Sequence, residues 1–223
     1  MRWLRLRIHF PSFYSYRIPN YSSQYALALP LVAPSTIKLA LVATAIRVTG
    51  KVDEGKRVFK YVKDAKIGIK LPKLIVVNSV FIKRLKKKKN QSGFQQSFGV
   101  REYVHFSEDL EVYLGFEKTD VPKELVTYAQ AIRYLGTSDS IVYVKAKWIN
   151  KEPVDAAFPL ELSKIPEGAM VYPVRDFVKK VTFEQINPYS SKKAGKPYKT
   201  KYYPILLSRR PKEGKNWKLF VLS

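Results

Sequence analysis

The chain has 223 residues, 46% of them hydrophobic, which suffices for one domain, or one domain with a smaller appendage, around a real core and excludes wholesale disorder. Lys and Arg number 41 against 18 Asp and Glu, a formal charge of +23; such a surplus repels itself in the folded state unless a polyanion neutralises it, and a nucleic acid is the simplest such partner. There is no cysteine, which excludes disulfides, zinc fingers and thiol chemistry and is compatible with a reducing cytoplasm.

The first element is a strand. Leu4, Leu6, Ile8 and Phe10 fall on one face and Arg5, Arg7 and His9 on the other, the period of two that a pleated strand imposes. The start, Met1-Arg2-Trp3-Leu4-Arg5-Leu6-Arg7, alternates charge with apolar residues, whereas a signal peptide needs an unbroken apolar stretch after its positive end, so it reads as a mature N-terminus. An aromatic, proline-containing loop follows from Pro11 to Pro30. Pro34-Ser35-Thr36 then opens a helix that ends at Gly50 and is apolar nearly all round, hence buried. The apolar stretch Tyr25 to Val48 is broken by Pro30, Pro34 and Lys38, so no membrane span is expected.

Residues 51–66 read as a charged connector. The run Leu74-Ile75-Val76-Val77 with Val80-Phe81-Ile82 has the length and branching of a buried strand, and its continuation turns abruptly basic. From Gly99 to Glu117 the pattern resumes, with Val104 and Phe106, then Leu110, Val112, Leu114 and Phe116, across a turn at Ser107-Glu108-Asp109. It pairs with the preceding strand as a long hairpin. Asp120 and Pro122 signal a second helix whose Leu125, Tyr128, Ala129, Ile132 and Leu135 share a buried face, ending at Gly136. A last strand, Ile141 to Ile149, alternates Val142, Val144, Ala146 and Trp148 with Tyr143, Lys145 and Lys147.

The expected class is therefore α+β, a ferredoxin-like (RRM-like) βαββαβ domain over residues 1–150 with a long hairpin thumb at about 83–99. Residues 151–223 read as a small, mostly β appendage. In this plan the first and last strands are neighbours, so Arg5, Arg7 and His9 lie beside Tyr143, Lys145 and Lys147, as a binding face or as plain solvated positions.

The sharpest functional segment is Lys83-Arg84-Leu85-Lys86-Lys87-Lys88-Lys89, followed by ten uncharged residues that include Phe94 and Phe98. A basic block between two strands tracks phosphates when bound, and the phenylalanines can stack on bases. A second basic cluster, Ser190 to Lys201, has the composition of a flexible loop able to hold phosphates. The loop Gly136-Thr137-Ser138-Asp139-Ser140 serves either as a phosphate-receiving turn or as a helix stop. Two histidines, His9 and His105, and no zincin, P-loop or Gly-X-Ser-X-Gly pattern leave catalysis poorly supported. Metal-free RNA cleavage by a His, Tyr and Lys grouping around either histidine is the rival reading, and a general RNA chaperone is a third.

The stretch His9-Phe10-Pro11-Ser12-Phe13-Tyr14-Ser15-Tyr16-Arg17, then Leu27-Ala28-Leu29-Pro30-Leu31-Val32-Ala33-Pro34-Ser35-Thr36-Ile37-Lys38-Leu39-Ala40-Leu41, resembles the N-terminal signature of the CRISPR-associated Cas-five family. That signature is a small aromatic loop after the first strand, a Leu-Pro-rich approach and a Pro-Ser-Thr helix start. The hairpin and the Tyr134 to Ser140 loop match in order and placement, although the latter departs from the glycine-rich loop of the wider RAMP superfamily.

The resemblance implies a noncatalytic subunit that caps the 5′ handle of the guide RNA (crRNA) in a type I Cascade complex, with composition suggesting subtype I-A. Its partners are then a Cas-seven backbone subunit, a Cas-eight large subunit and, through the complex, target DNA. No cofactor or metal is expected, and the location is cytoplasmic. The RNA-binding residues are expected to be Arg17, Ser35, Thr36 and Lys38 near the handle, and Lys83, Arg84, Lys86, Lys87, Lys88, Lys89, Phe94, Phe98 and Arg101 on and beside the thumb.

Overall fold

A computed structural model of the chain describes residues 1–18, 22, 25–118, 120–191 and 195–223. The N-terminal alternation forms strand β1 (Arg2–His9), with Leu4, Leu6 and Ile8 completely buried. Each of these three contributes about 1.5–3 kcal/mol by leaving water. After a two-residue strand β2 (Tyr25–Ala26), helix α1 spans Pro34–Thr49, starting on its proline and stopping at Gly50 in the left-handed conformation, φ 70°. Both ends fall where the sequence places them.

The charged connector proves to be ordered. It forms helix α2 (Val52–Val62) and opens strand β3 (Lys66–Lys70). Its charges sit on the outer face as spaced pairs, Lys56 with Asp53 and Arg57 with Glu54, while Gly55, Val58, Phe59 and Val62 make the buried stripe. A high density of charge hides a narrow apolar seam. At Gly55 an added Cβ would stand 2.4 Å from the Ile46 side chain, so the missing side chain is what lets α1 and α2 approach.

Strands β4 (Leu74–Lys87) and β5 (Phe94–Phe106) form the long hairpin, followed by β6 (Leu110–Phe116), α3 (Leu125–Gln130) and β7 (Tyr143–Ile149). One sheet has the order β3-β6-β1-β7, every neighbouring pair antiparallel. The sequence pattern assigns the second strand of this sheet to residues 74–82, but the short β3 takes that place. The hairpin belongs to a second sheet.

The second helix is also shorter than its apolar spacing predicts. Ile132 and Leu135 are buried as expected, yet they lie beyond the helix. Val142 donates its N–H to Arg133 O and Leu135 donates to Ser140 O, so this backbone is engaged by the chain returning toward β7 and cannot continue the helical ladder.

The C-terminal stretch adds β8 (Ala169–Phe177), a short helix α4 (Phe183–Ile186), β9 (Tyr198–Leu206), β10 (Lys212–Glu213) and β11 (Trp217–Val221). β8 and β9 pair with each other, and β11 lies against β4, giving the second sheet the order β10-β11-β4-β5-β2. Val174, Phe177, Tyr203, Ile205 and Phe220 share one core with Leu4 and Leu6. The Tyr203 hydroxyl donates to Ile67 O at 2.8 Å. Residues 151–223 are thus woven into the first part of the chain through both core and sheet.

Candidate nucleic-acid interface

The hairpin keeps unbroken register from Ile75 opposite Phe106 to Lys87 opposite Phe94. At its base Ile75, Val77, Val104 and Phe106 are buried. β11 covers the edge of β4 only as far as Asn78, and β2 meets β5 at Val100 and Arg101. Past those points the ribbon projects.

Because side chains alternate across a strand, the face that is core at the base continues outward as Phe81, Lys83, Leu85 and Lys87 opposite Val100, Phe98, Gln96 and Phe94. There it is open: Phe81 is 67%, Leu85 68%, Phe94 68% and Phe98 51% exposed. Phe81 and Phe98 stack at 5.8 Å between centroids, 17° from parallel, and Lys83 Nζ lies 5.9 Å from the Phe98 centroid. Arg84, Lys86 and Arg101 occupy the opposite face. At the tip Lys88 N–H donates to Gly93 O, and Gly93 takes φ 94°, a conformation that favours glycine.

From Lys83 to Arg101 the sequence holds no Asp or Glu. Among the described residues, none forms an ion pair with Lys83, Arg84 or Lys86 to Lys89. An external anion would relieve their mutual repulsion. Arg101 sits where the ribbon leaves the body, its Nη1 3.9 Å from Asp139 Oδ2.

Two loops are tied to that base. Tyr14 and Val104 exchange backbone hydrogen bonds of 2.8 and 2.7 Å. Ser15 N–H donates to Ser140 Oγ at 2.9 Å, and Thr137 N–H donates to Ser15 O at 3.2 Å. The Glu102 carboxylate accepts from Ala28 N–H and from the Ser79 hydroxyl. Gly136 has φ 79° and lies so close that a Cβ would stand 2.9 Å from Ser15 O. Ser140 is fully buried and its hydroxyl also meets that of Thr137, so these hydroxyls lock the turn itself. Arg17 is exposed beside this junction, in a bridge with Ala28.

Ser35, Thr36 and Lys38 do not join this surface. All three are buried in the first turns of α1. Lys38 is 1% exposed, its Nζ 2.8 Å from Asp176 Oδ1 and donating to Lys63 O at 3.0 Å. Burial lowers its pKa, and Asp176 opposes that shift. The ammonium is held inside the protein, away from any ligand on the ribbon.

The strand register places Arg5 opposite Lys147, Arg7 opposite Lys145 and His9 opposite Tyr143, as the alternation predicts. What the alternation could not show is the other neighbour. Arg5 makes two hydrogen bonds to the Glu111 carboxylate, and Arg7 and His9 meet Asp109 at 3.0 and 3.1 Å. Burial pushes the Glu111 carboxyl upward, but hydrogen bonds from Arg5 and Tyr113 outweigh it and hold the group below its ordinary range. His9, Asp109, Tyr143 and Lys145 line a groove of about 1030 Å³. His105 is exposed, its ring 6.1 Å from that of Phe13. Among the described residues no group of three or more His, Cys, Asp or Glu could hold a metal ion, and no helix is long and apolar enough to cross a membrane.

Phe81 and Leu85 escape a reading for surface candidates by residue type, although their alternation with Lys83 and Lys87 in a strand already places all four on one face. The lysines Lys63, Lys66, Lys179, Lys199 and Lys201, which converge on a cleft, come from three separate stretches of the chain and leave no such signal. Lys192 and Lys193 of the second basic cluster lie outside the described residues.

The whole chain superposes on 92% of a solved CRISPR protein from Archaeoglobus fulgidus with a TM-score of 0.53, at 16% sequence identity, a likeness of fold alone. No family model matches the chain. The chain is, however, 52% identical over its whole length to the CRISPR-associated protein Cas5 of Archaeoglobus fulgidus, 99% of which the match covers. It belongs to the CRISPR-associated Cas5 family.

Proposed function

We propose that the protein is a noncatalytic guide-RNA-binding subunit of a cytoplasmic type I Cascade complex of subtype I-A, and that it caps the 5′ handle of the crRNA. The β3-β6-β1-β7 sheet, with helices joining β1 to β3 and β6 to β7, is read as a ferredoxin-like RAMP domain in which the β4–β5 hairpin is an inserted thumb. The observation that carries the reading is the projecting ribbon, free of acids from Lys83 to Arg101, with Phe94 and Phe98 exposed on it. Cations there supply sequence-independent grip on phosphates, and the phenylalanines supply stacking. The handle runs over Arg17 and Arg101 at the ribbon base. A Cas-seven backbone subunit meets the thumb, a Cas-eight large subunit sits alongside, and target DNA is reached through the assembled complex.

Replacing Lys86 to Lys89 with Ala tests this. Affinity for a handle-bearing RNA should fall, and the log–log salt slope should flatten by about one unit for every phosphate no longer neutralised. An unchanged slope rejects the thumb as the RNA-gripping element.

The rival reading, a metal-independent endoribonuclease acting on precursor crRNA, gains support from one observation: His9 lies 3.1 Å from Asp109 and opposite Tyr143 in register. Such a grouping can supply acid–base catalysis without a metal. Incubating the chain with repeat RNA in EDTA separates the two. Discrete cleavage that disappears in His9→Ala overturns the noncatalytic reading.

A further inference from the structure

We infer that the protein carries a second, sequence-indifferent site for a nucleic-acid phosphodiester backbone, in the lysine-lined cleft between the α2–β3 junction and the β8–β9 pair. The cleft measures about 560 Å³, and no residue of the β4–β5 hairpin lines it. Lys63, Lys66, Lys179, Lys199 and Lys201 reach it from three stretches of the chain, with Lys38, already paired with Asp176, at its floor. Lys199 and Lys201, two apart on β9, share one face of that strand. Among the described residues Lys66, Lys179, Lys199 and Lys201 form no ion pair.

The acids of the cleft do not cancel this charge. Asp176 is committed to Lys38 Nζ and to Phe177 N–H, both at 2.8 Å, and Asp64 lies 3.7 Å from Lys63. Glu152 is the third acid on the lining, against six lysines. A cleft walled by low-dielectric side chains and lined by one sign of charge concentrates the field at its mouth. Of its aromatic lining, Phe177 is 3% and Tyr203 1% exposed, the Tyr203 hydroxyl already donates to Ile67 O, and the half-buried Phe158 is held edge-on against Trp3 at 5.7 Å between centroids. The site therefore grips chiefly phosphate through its lysines, in contrast to the ribbon with its open phenylalanine faces.

The two sources of such a backbone, RNA and DNA, are separated by experiment. The full chain is first loaded with one equivalent of unlabelled handle-bearing RNA, then titrated with a labelled 20-nucleotide random-sequence RNA or with a labelled DNA duplex. The comparison covers the wild type, the Lys199→Ala/Lys201→Ala pair and the Lys86 to Lys89 alanine variant. The pair should weaken binding of the labelled probe and flatten its log–log salt slope by about two units, one for each lysine withdrawn from a phosphate. The hairpin variant should leave this second binding event unchanged, and Lys199→Arg/Lys201→Arg should retain it, which separates removal of charge from failure to fold. Whichever probe binds more tightly names the strand. The inference fails if the alanine pair binds the probe like wild type, or if one equivalent of bound handle RNA abolishes probe binding altogether. Because the readout is the second event, its failure leaves the ribbon assignment standing, and failure of the ribbon assignment leaves it measurable.

Discussion

Cations collect in two regions of this molecule with opposite outcomes. On the open face of the four-stranded sheet, Arg5, Arg7 and His9 stand in a row, and each finds a carboxylate on the adjacent β6 or the turn before it. On the ribbon, Lys83, Arg84 and Lys86 to Lys89 stand in a denser row and, among the described residues, find none. Both stretches are basic along the chain. Charge available to a polyanion is therefore what remains after neighbouring strands have been brought into register, and Lys38, sealed inside against Asp176, is the extreme case of a cation fully committed to the fold.

The contrast breaks most visibly at that interior pair. Lys38→Met leaves the mostly buried Asp176 without its partner, and the expected loss of stability in urea denaturation is about 3 kcal/mol, the lower end for buried pairs broken on one side. Retention of wild-type stability would return Lys38 to the set of cations free for a ligand. On the ribbon the expectation reverses. Phe98→Ala should change folding stability by about 0.5 kcal/mol or less, as exposed positions do, while costing about 1–3 kcal/mol of RNA affinity if a base stacks on the ring. Equal affinity for RNA in wild type and variant would assign Phe98 to packing against Phe81 alone.

A pH-dependent effect is expected at the sheet face. Arg5→Met removes two hydrogen bonds to a mostly buried carboxylate and should cost about 1.5–3 kcal/mol at neutral pH. The Glu111 carboxyl is held below its ordinary value of 4.5, so its contribution is present above that value and is lost as pH falls through the lower folded-state pKa. The difference between wild type and Arg5→Met in thermal or urea unfolding should accordingly narrow in acid. A gap that stays constant down to strongly acid pH contradicts the assignment.

How much of this is legible from the chain alone follows from the range of each interaction. Helix α1 is readable at both ends because proline and glycine act locally, β1, β6 and β7 are readable because a period of two needs only a few residues, and β4 is readable from its run of branched residues. Helix α2 is not, since Lys56, Arg57 and Lys60 mask a seam of Gly55, Val58, Phe59 and Val62. The end of α3 is not, since Arg133 and Leu135 are engaged by residues at 140–142, a pairing that apolar spacing does not encode. The basic ribbon, the aromatic loop and the Gly136–Ser140 turn can each be picked out singly. Their joining through Ser15, Ser140 and Glu102 cannot.

Composition and local pattern already carry the excess of positive charge, the alternation that makes each strand two-faced, and the acid-free stretch that makes the hairpin basic. Which cations stay unpaired is settled by folding alone, because an ion pair such as Arg5 with Glu111 joins positions 106 residues apart. Coulomb attraction falls with distance through space and is indifferent to distance along the chain.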